Sequence, residues 1–205
     1  MAARAGRARD ASIDERVLSV AARHLARYGY EAMSLAAIAE EAGTTRQALY
    51  RRWRGKAELA AAIVATISDT GAATTSDDPF SALVAELSDF QRGVSRPGRL
   101  SLVGTMLQDT TEWDVRTRYR AEVIAPRRRR LRSILDRAAQ LGMVDPDADL
   151  EVAVTMGTGS WYARELAGDH VPAGWPRRVA ALVWRAVGGQ PPPLPPAHSR
   201  LRGSS

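Results

Sequence analysis

Apolar residues recur at three- and four-residue steps along almost the whole chain, and no segment keeps the two-residue alternation of a strand. The pattern predicts an all-α fold. Ser12-Ile13-Asp14-Glu15 has the form of a capping box, and Ile13, Val17, Val20, Ala21, Leu25 and Tyr28 behind it make one apolar stripe. Gly29 ends that helix. Ser34 caps a short second helix that turns Leu35, Ile38 and Ala39 inward and closes at Ala42-Gly43. Thr44-Thr45-Arg46-Gln47 repeats the capping box, with Thr44 as cap and Gln47 as its third helical residue. A third helix of about eight residues, too short to stand alone, runs through Leu49 and Trp53 to a break at Gly55. A fourth carries Leu59, Ile63, Val64 and Ile67 inward before a Gly/Ser/Thr/Asp loop over residues 69–78.

Past that loop, Pro79 opens a helix carrying Phe80, Leu83, Val84, Leu87 and Phe90, closed by the Pro97-Gly98 turn. Leu100–Leu107 is another helix. The stretch Val115–Leu141 is helical but contains Pro126, which should kink or split it. Asp149–Leu166 and Arg177–Val187 complete about nine to ten helices. Residues 188–205, with Pro191-Pro192-Pro193-Leu194-Pro195-Pro196, read as a disordered Pro-rich tail.

Charge and composition narrow the chemistry. The chain carries 29 basic and 23 acidic residues, a net +6, and every base except Lys56 is Arg. That balance favours a polyanionic partner. The absence of Cys removes thiolate–metal sites, iron–sulfur clusters and thiol catalysis. The histidines, His24, His170 and His198, have no metal-ligand spacing between them, so no metal and no cofactor is expected. No Ser/His/Asp arrangement, Gly-rich phosphate loop or isolated carboxylate pair appears; Glu40-Glu41 and Asp145/Asp147/Asp149 fit a helix face and a Pro-containing turn. An enzyme is not expected. Nor does any run reach the ~18 apolar residues of a membrane span, and Met1–Arg9 lacks a signal-peptide apolar region, which together predict a cytoplasmic protein.

Two short helices joined at Ala42-Gly43-Thr44 behind a longer supporting helix have the layout of a helix-turn-helix. Arg46, Arg51, Arg52, Arg54 and Lys56 follow one another with no acid until Glu58. Guanidiniums can hold phosphate or read guanine bidentately, and a Gln such as Gln47 can pair with adenine. Residues 37–59, Ala-Ile-Ala-Glu-Glu-Ala-Gly-Thr-Thr-Arg-Gln-Ala-Leu-Tyr-Arg-Arg-Trp-Arg-Gly-Lys-Ala-Glu-Leu, resemble the DNA-binding signature of the TetR family of bacterial transcriptional regulators. The resemblance is close over residues 12–65 and rests on helix layout beyond them. It implies that Ser34 opens the second helix near phosphate and that Thr44, Thr45, Arg46 and Gln47 touch DNA. It also implies backbone contacts for Tyr50 and Lys56; Arg51 and Arg52 join the predicted DNA-binding set from the basic run. Trp53 stands where the family more often has Phe, and Gln47 where many members have Gly. Residues 1–11 are expected to be a flexible basic arm; Arg4, Arg7 and Arg9 in it either enter a minor groove or form a soluble end.

The organisation predicted is therefore a three-helix DNA-binding domain over 12–55 and a larger helical ligand-binding and dimerisation domain over 56–187. Residues 56–70 serve as the connecting helix. One short helix reads too few base pairs for genomic specificity, so a homodimer on a two-fold operator is expected. The resemblance implies that the last two helices pair between subunits. Val152, Met156, Val179, Leu182, Val183 and Trp184 are the candidates, with intramolecular core as the alternative. Met106, Trp113, Tyr119, Trp161 and Tyr162, with Asp109 and Arg120 as polar fixers, are candidates for lining an effector pocket. The Arg127–Arg132 run points in several directions and reads as solvated surface with partial ion pairing, with a nucleic-acid patch as the alternative. The function implied is a homodimeric repressor released from a palindromic operator by a small apolar or amphipathic ligand. The alternative is a dimeric DNA-binding regulator without a ligand.

Overall fold

A computed structural model describes residues 2–68, 76–96, 99–107 and 113–192, with backbone alone for residues 2–11, 65, 67, 68, 101, 102 and 105. All regular structure among the described residues is helical. The elements are α1 Ala2–Ala32, α2 Leu35–Glu41, α3 Arg46–Arg52, α4 Lys56–Ser68, α5 Pro79–Val94, α6 Arg99–Leu107 and α7 Trp113–Tyr119. A π-helical turn, Arg120–Ile124, precedes α8 Ala125–Gln140, α9 Leu150–Leu166 and α10 Trp175–Ala186. Asp109 and the tail beyond residue 192 lie outside the described residues.

The chain forms two compact units. The first comprises residues 1–72 and 91–129, the second residues 73–90 and 130–205. This division differs from the boundary expected at residue 55, because the core under the DNA-binding helices does not stop there. Val17, Val20, Ala21 and Leu25 of α1, Ile38 of α2, Leu49 of α3 and Leu59, Ile63 and Val64 of α4 share one cluster with Met106, Val115 and Tyr119 of α6 and α7. Helix α1 lies against α4 and α6, and α4 against α7 and the π turn.

Two expectations at the N-terminus are corrected. Helix α1 begins at Ala2, so Ser12 lies inside the helix and not at its start, and residues 2–11 are helical where a flexible arm is expected. Ala2, Ala3, Ala5, Ala8 and Ala11 supply the helix propensity that accounts for the extension. At the other end Gly29 interrupts the helix as predicted, with φ 78° and ψ 173°. The interruption rotates the next residues, so Tyr30 is buried while Tyr28, expected inward, is half exposed. Its ring meets the Arg27 guanidinium and the edge of His24.

Pro126 splits the long predicted helix through a local change of pitch. The Ala125 N–H reaches back five residues to the Arg120 carbonyl. Pro126 has no N–H to give, so the residues before it lose a regular partner, and a wider turn redistributes the bonding.

In the second unit, Asp78 receives the Ser81 N–H at 2.8 Å at the start of α5. The hydrogen bond from the Ser81 side chain, then the Ser81 and Phe80 N–H groups, hold the Asp78 carboxyl below its usual range. Phe80, Leu83, Leu87 and Phe90 on this helix are buried with Leu131 and Leu135 of α8, Val154 and Trp161 of α9 and Trp175, Val183 and Trp184 of α10. The rings meet edge to face, Phe80 with Trp184 at 5.3 Å and Trp161 with Trp175 at 5.2 Å. Helix α10 starts two residues earlier than the sequence pattern predicts, behind Gly174 in the left-handed region with Pro176 in its first turn. The one buried charge among the described residues, Glu86, accepts both Arg130 Nε at 3.0 Å and a terminal nitrogen at 2.9 Å. Arg130 is thus one of the ion-paired members expected of the run, on a carboxylate that is itself buried, and its guanidinium is held charged more firmly by this carboxylate. Arg132, likewise predicted as surface, does remain accessible while bonding Asp136 and Glu151.

Candidate nucleic-acid interface

The turn between α2 and α3 is built from backbone bonds that the sequence supplies. Ser34 Oγ accepts the Ala37 N–H at 3.4 Å and starts α2. At the other end the Gly43 N–H reaches the Glu40 carbonyl at 3.0 Å and the Thr44 N–H reaches Ala39 at 2.9 Å. These bonds close a Schellman motif, which demands left-handed backbone at Gly43, φ 66°. The chain leaves it directly into α3. There Thr45, not Thr44, is the cap: its backbone is extended and Oγ1 accepts the Ala48 N–H at 3.1 Å. The correction is one residue, because Thr44 is already occupied in closing α2, which leaves the next hydroxyl to open α3.

Leu49 and Trp53 anchor α3 in the core, which sends Arg46, Gln47, Tyr50 and Arg51 to solvent. The predicted cations are not equivalent. Arg46 leans on its own helix, its guanidinium carbon 5.5 Å from the Tyr50 ring centre and one terminal nitrogen 3.4 Å from the Tyr50 hydroxyl. Arg52 is half-buried; it forms an ion pair with Asp14 of α1 and donates to the Ala48 carbonyl at 3.4 Å. Its charge is therefore partly neutralised within the chain, and the ion pair joins α3 to α1. Lys56 donates to the Glu31 carbonyl at 2.7 Å and lies 5.2 Å from the Tyr30 ring centre. It thus ties the start of α4 to the end of α1 with two of its N–H groups still available. Arg51 and Arg54 are exposed.

A second tie was not legible in the sequence. Glu41 accepts Arg23 at 2.6 Å and His24 at 2.7 Å, which holds α2 against α1. The hydrogen bond from Arg23, then that from His24, keeps the Glu41 carboxyl below its usual range. Neither Arg23–Glu41 nor Asp14–Arg52 has a helical spacing that would announce it; each joins residues far apart in sequence.

The predicted pocket residues are divided between the two units. Met106 and Tyr119 are buried in the first unit's core. Trp161 is packed in the second unit among Phe90 and Trp175, with Tyr162 against Phe90 at 5.7 Å. Trp113 is 68% exposed and Arg120 is exposed, so neither lines an interior. Trp113 lies on α7, whose buried positions are Val115 and Tyr119, and Arg120 on the π turn, which has no buried position.

The predicted dimer residues divide by burial. Val179, Val183 and Trp184 are buried within the chain and belong to its own core, the alternative kept open above. Val152, Met156 and Leu182 stay exposed, joined by Leu166. On α9, Val152, Met156, Gly159 and Leu166 lie four, three and seven residues apart and share a face. A methyl added at Gly159 would meet nothing, whereas one at Gly157 would touch Leu87 within the chain.

A second helix presented from a short, capped turn, with its base-reading edge in solvent, defines a helix-turn-helix DNA-binding protein. Residues 17–63 match the family model described as bacterial regulatory proteins, tetR family, and residues 77–183 match the tetracyclin repressor-like C-terminal domain. The chain belongs to the TetR family of bacterial transcriptional regulators. It is 25% identical over 193 residues to the HTH-type transcriptional regulator YdeS of Bacillus subtilis (strain 168), covering 91% of this chain and 96% of that one. The crystal structure of the TetR family regulator SCO0332 superposes with TM-score 0.58 at 25% identity, over 85% of this chain and 98% of that one. A TetR family regulator from Marinobacter aquaeolei VT8 superposes with TM-score 0.66 at 22% identity, over 88% and 98%. No helix among the described residues is long and apolar enough to cross a membrane.

Proposed function

We propose that this regulator is a cytoplasmic homodimeric repressor that leaves a two-fold operator when a small apolar or amphipathic ligand binds. The observation that carries the DNA reading is the exposed edge of α3, where Arg46, Gln47 and Arg51 stand beside the Thr45 cap. In this reading Ser34 and Thr44 lie near phosphate, Arg46 and Gln47 read base edges, and Tyr50, Arg51 and Lys56 hold the backbone. The exposed apolar face of α9 and α10 is the surface that a second copy covers. Two copies would set their recognition helices on half-sites about 34–36 Å apart.

Release requires a ligand that prefers the subunit shape in which α3 is misplaced. The shared core supports such coupling, since α6 and α7 pack with the helices that carry α3 and a shift in them cannot leave α1 and α4 untouched. Ligand and operator must then weaken each other's binding by the same factor. A ligand-independent dimeric regulator is the second reading, favoured by the close ring packing of Phe90, Trp161, Tyr162 and Trp175.

The test is selection of bound duplexes from a random pool at near-physiological salt, followed by a search for compounds that release the enriched sequence. A palindromic motif supports the dimeric DNA reading. Its absence, with binding that vanishes as salt rises, would refute sequence-specific regulation by α3. A ligand whose affinity is unchanged by saturating operator would refute the release mechanism for that ligand.

A further inference from the structure

We infer that Tyr50 is a positioning residue for Arg46, holding the guanidinium in the conformer that reads one guanine of each half-site. The inference rests on the DNA-binding reading above. Arg46 opens α3 and is exposed, so nothing in the core restrains its side chain. Tyr50, one turn later on the same face, restrains it twice, through the ring beneath the guanidinium at 5.5 Å and through the hydroxyl that accepts its N–H at 3.4 Å. An arginine has five N–H donors. Tyr50 engages one terminal nitrogen, and two further donors suffice for the bidentate pair with guanine O6 and N7.

Preorganisation matters here because a free arginine side chain has about 2 kcal/mol of rotamer entropy to lose when it docks. Among the described residues the other candidate cations are held differently. Arg52 pairs with Asp14 and Lys56 with the Glu31 carbonyl, both directed to α1. Arg46 alone in this group is fixed by a neighbour on its own exposed face. The family resemblance implies a backbone contact for Tyr50; accepting from Arg46 leaves the hydroxyl's own O–H free to donate to phosphate, so the positioning role is additional to that contact.

The experiment compares the intact protein, Tyr50→Phe, Arg46→Lys and the Tyr50→Phe/Arg46→Lys double variant. Each is titrated onto the selected operator and onto operators with each half-site base changed, at several salt concentrations. Arg46→Lys should abolish most of the preference for guanine at one position. Tyr50→Phe should lower that same preference roughly two- to tenfold, the range of one neutral hydrogen bond. It should leave the salt slope unchanged and add no further loss of preference to Arg46→Lys. Equal weakening on every operator with the guanine preference intact, or a loss of preference that persists in the double variant, would make Tyr50 a phosphate contact alone and overturn the inference. Undiminished guanine preference in Tyr50→Phe would overturn it as well. If the intact protein selects no motif at all, the DNA-binding reading itself fails, a distinct outcome.

Discussion

Leu182 offers the sharpest test of how the regulator pairs. Its side chain is 60% exposed on α10, a helix whose opposite positions, Val183 and Trp184, are buried. Leu182→Ala shortens that side chain without touching the subunit core and places the best helix former at a helical site. Fully burying a leucine is worth about 1.5–3 kcal/mol relative to leaving it in water. The fraction still exposed in one chain therefore represents about 1–2 kcal/mol. A two-fold interface is isologous, so one substitution removes the group from both sides and the expected loss doubles to about 2–4 kcal/mol. At 1.4 kcal/mol per decade the dimer dissociation constant should rise at least about thirtyfold. Sedimentation velocity over a concentration series would measure it, with circular dichroism to confirm an unchanged helix content. Leu107→Ala, which truncates a 79% exposed leucine of the first unit, is the control and should leave the constant as it is. A Leu182→Ala protein that dimerises within twofold of the original would refute pairing through this face.

Other substitutions test the framework. Gly189→Ala would set a methyl 2.5 Å from the Trp184 ring and 2.9 Å from the Met143 carbonyl, so denaturant titration should show a loss of at least about 1–3 kcal/mol. Thr45→Ala removes the cap of α3 and should cost about 1 kcal/mol in the same assay. Lys56→Ala should lower the salt slope of operator binding by about one per subunit, and an unchanged slope would remove Lys56 from the phosphate contacts. Asp78 has a depressed carboxyl pKa in the folded chain, so its stabilisation is present above the ordinary carboxylate range and is lost as pH falls through it. Asp78→Asn should accordingly narrow the stability difference between neutral and acidic solution, and an unchanged pH profile would discount the cap.

Most helices were legible because a buried stripe needs apolar residues at three- and four-residue steps, and that pattern survives without knowledge of the partner. The α2–α3 turn was legible for a related reason: Gly43 and the hydroxyls around it act on backbone within a few residues. The choice between Thr44 and Thr45 was not, since either can cap and the decision depends on which N–H closes the preceding helix. The aromatic residues were read less well. Trp113 and Trp161 were both assigned to a pocket by residue type, yet Trp113, flanked by Glu112 and Asp114, faces water and Trp161 fills the second unit's core. Likewise Arg52 and Arg51 are adjacent and chemically alike, but only Arg52 falls opposite Asp14, and no periodicity encodes a contact across so many residues.

The π turn before Pro126 has a consequence for chain length. An α-helix turns about 100° per residue, so inserting or deleting one residue within α7 or α8 would rotate everything beyond it. A five-residue hydrogen-bonded loop is an α turn with one residue to spare. Within Arg120–Ile124 the surplus can be removed while the faces on both sides keep their directions. This stretch is accordingly the place along the long helix where a homologous chain one residue shorter would fit, its turn closed to the ordinary pitch.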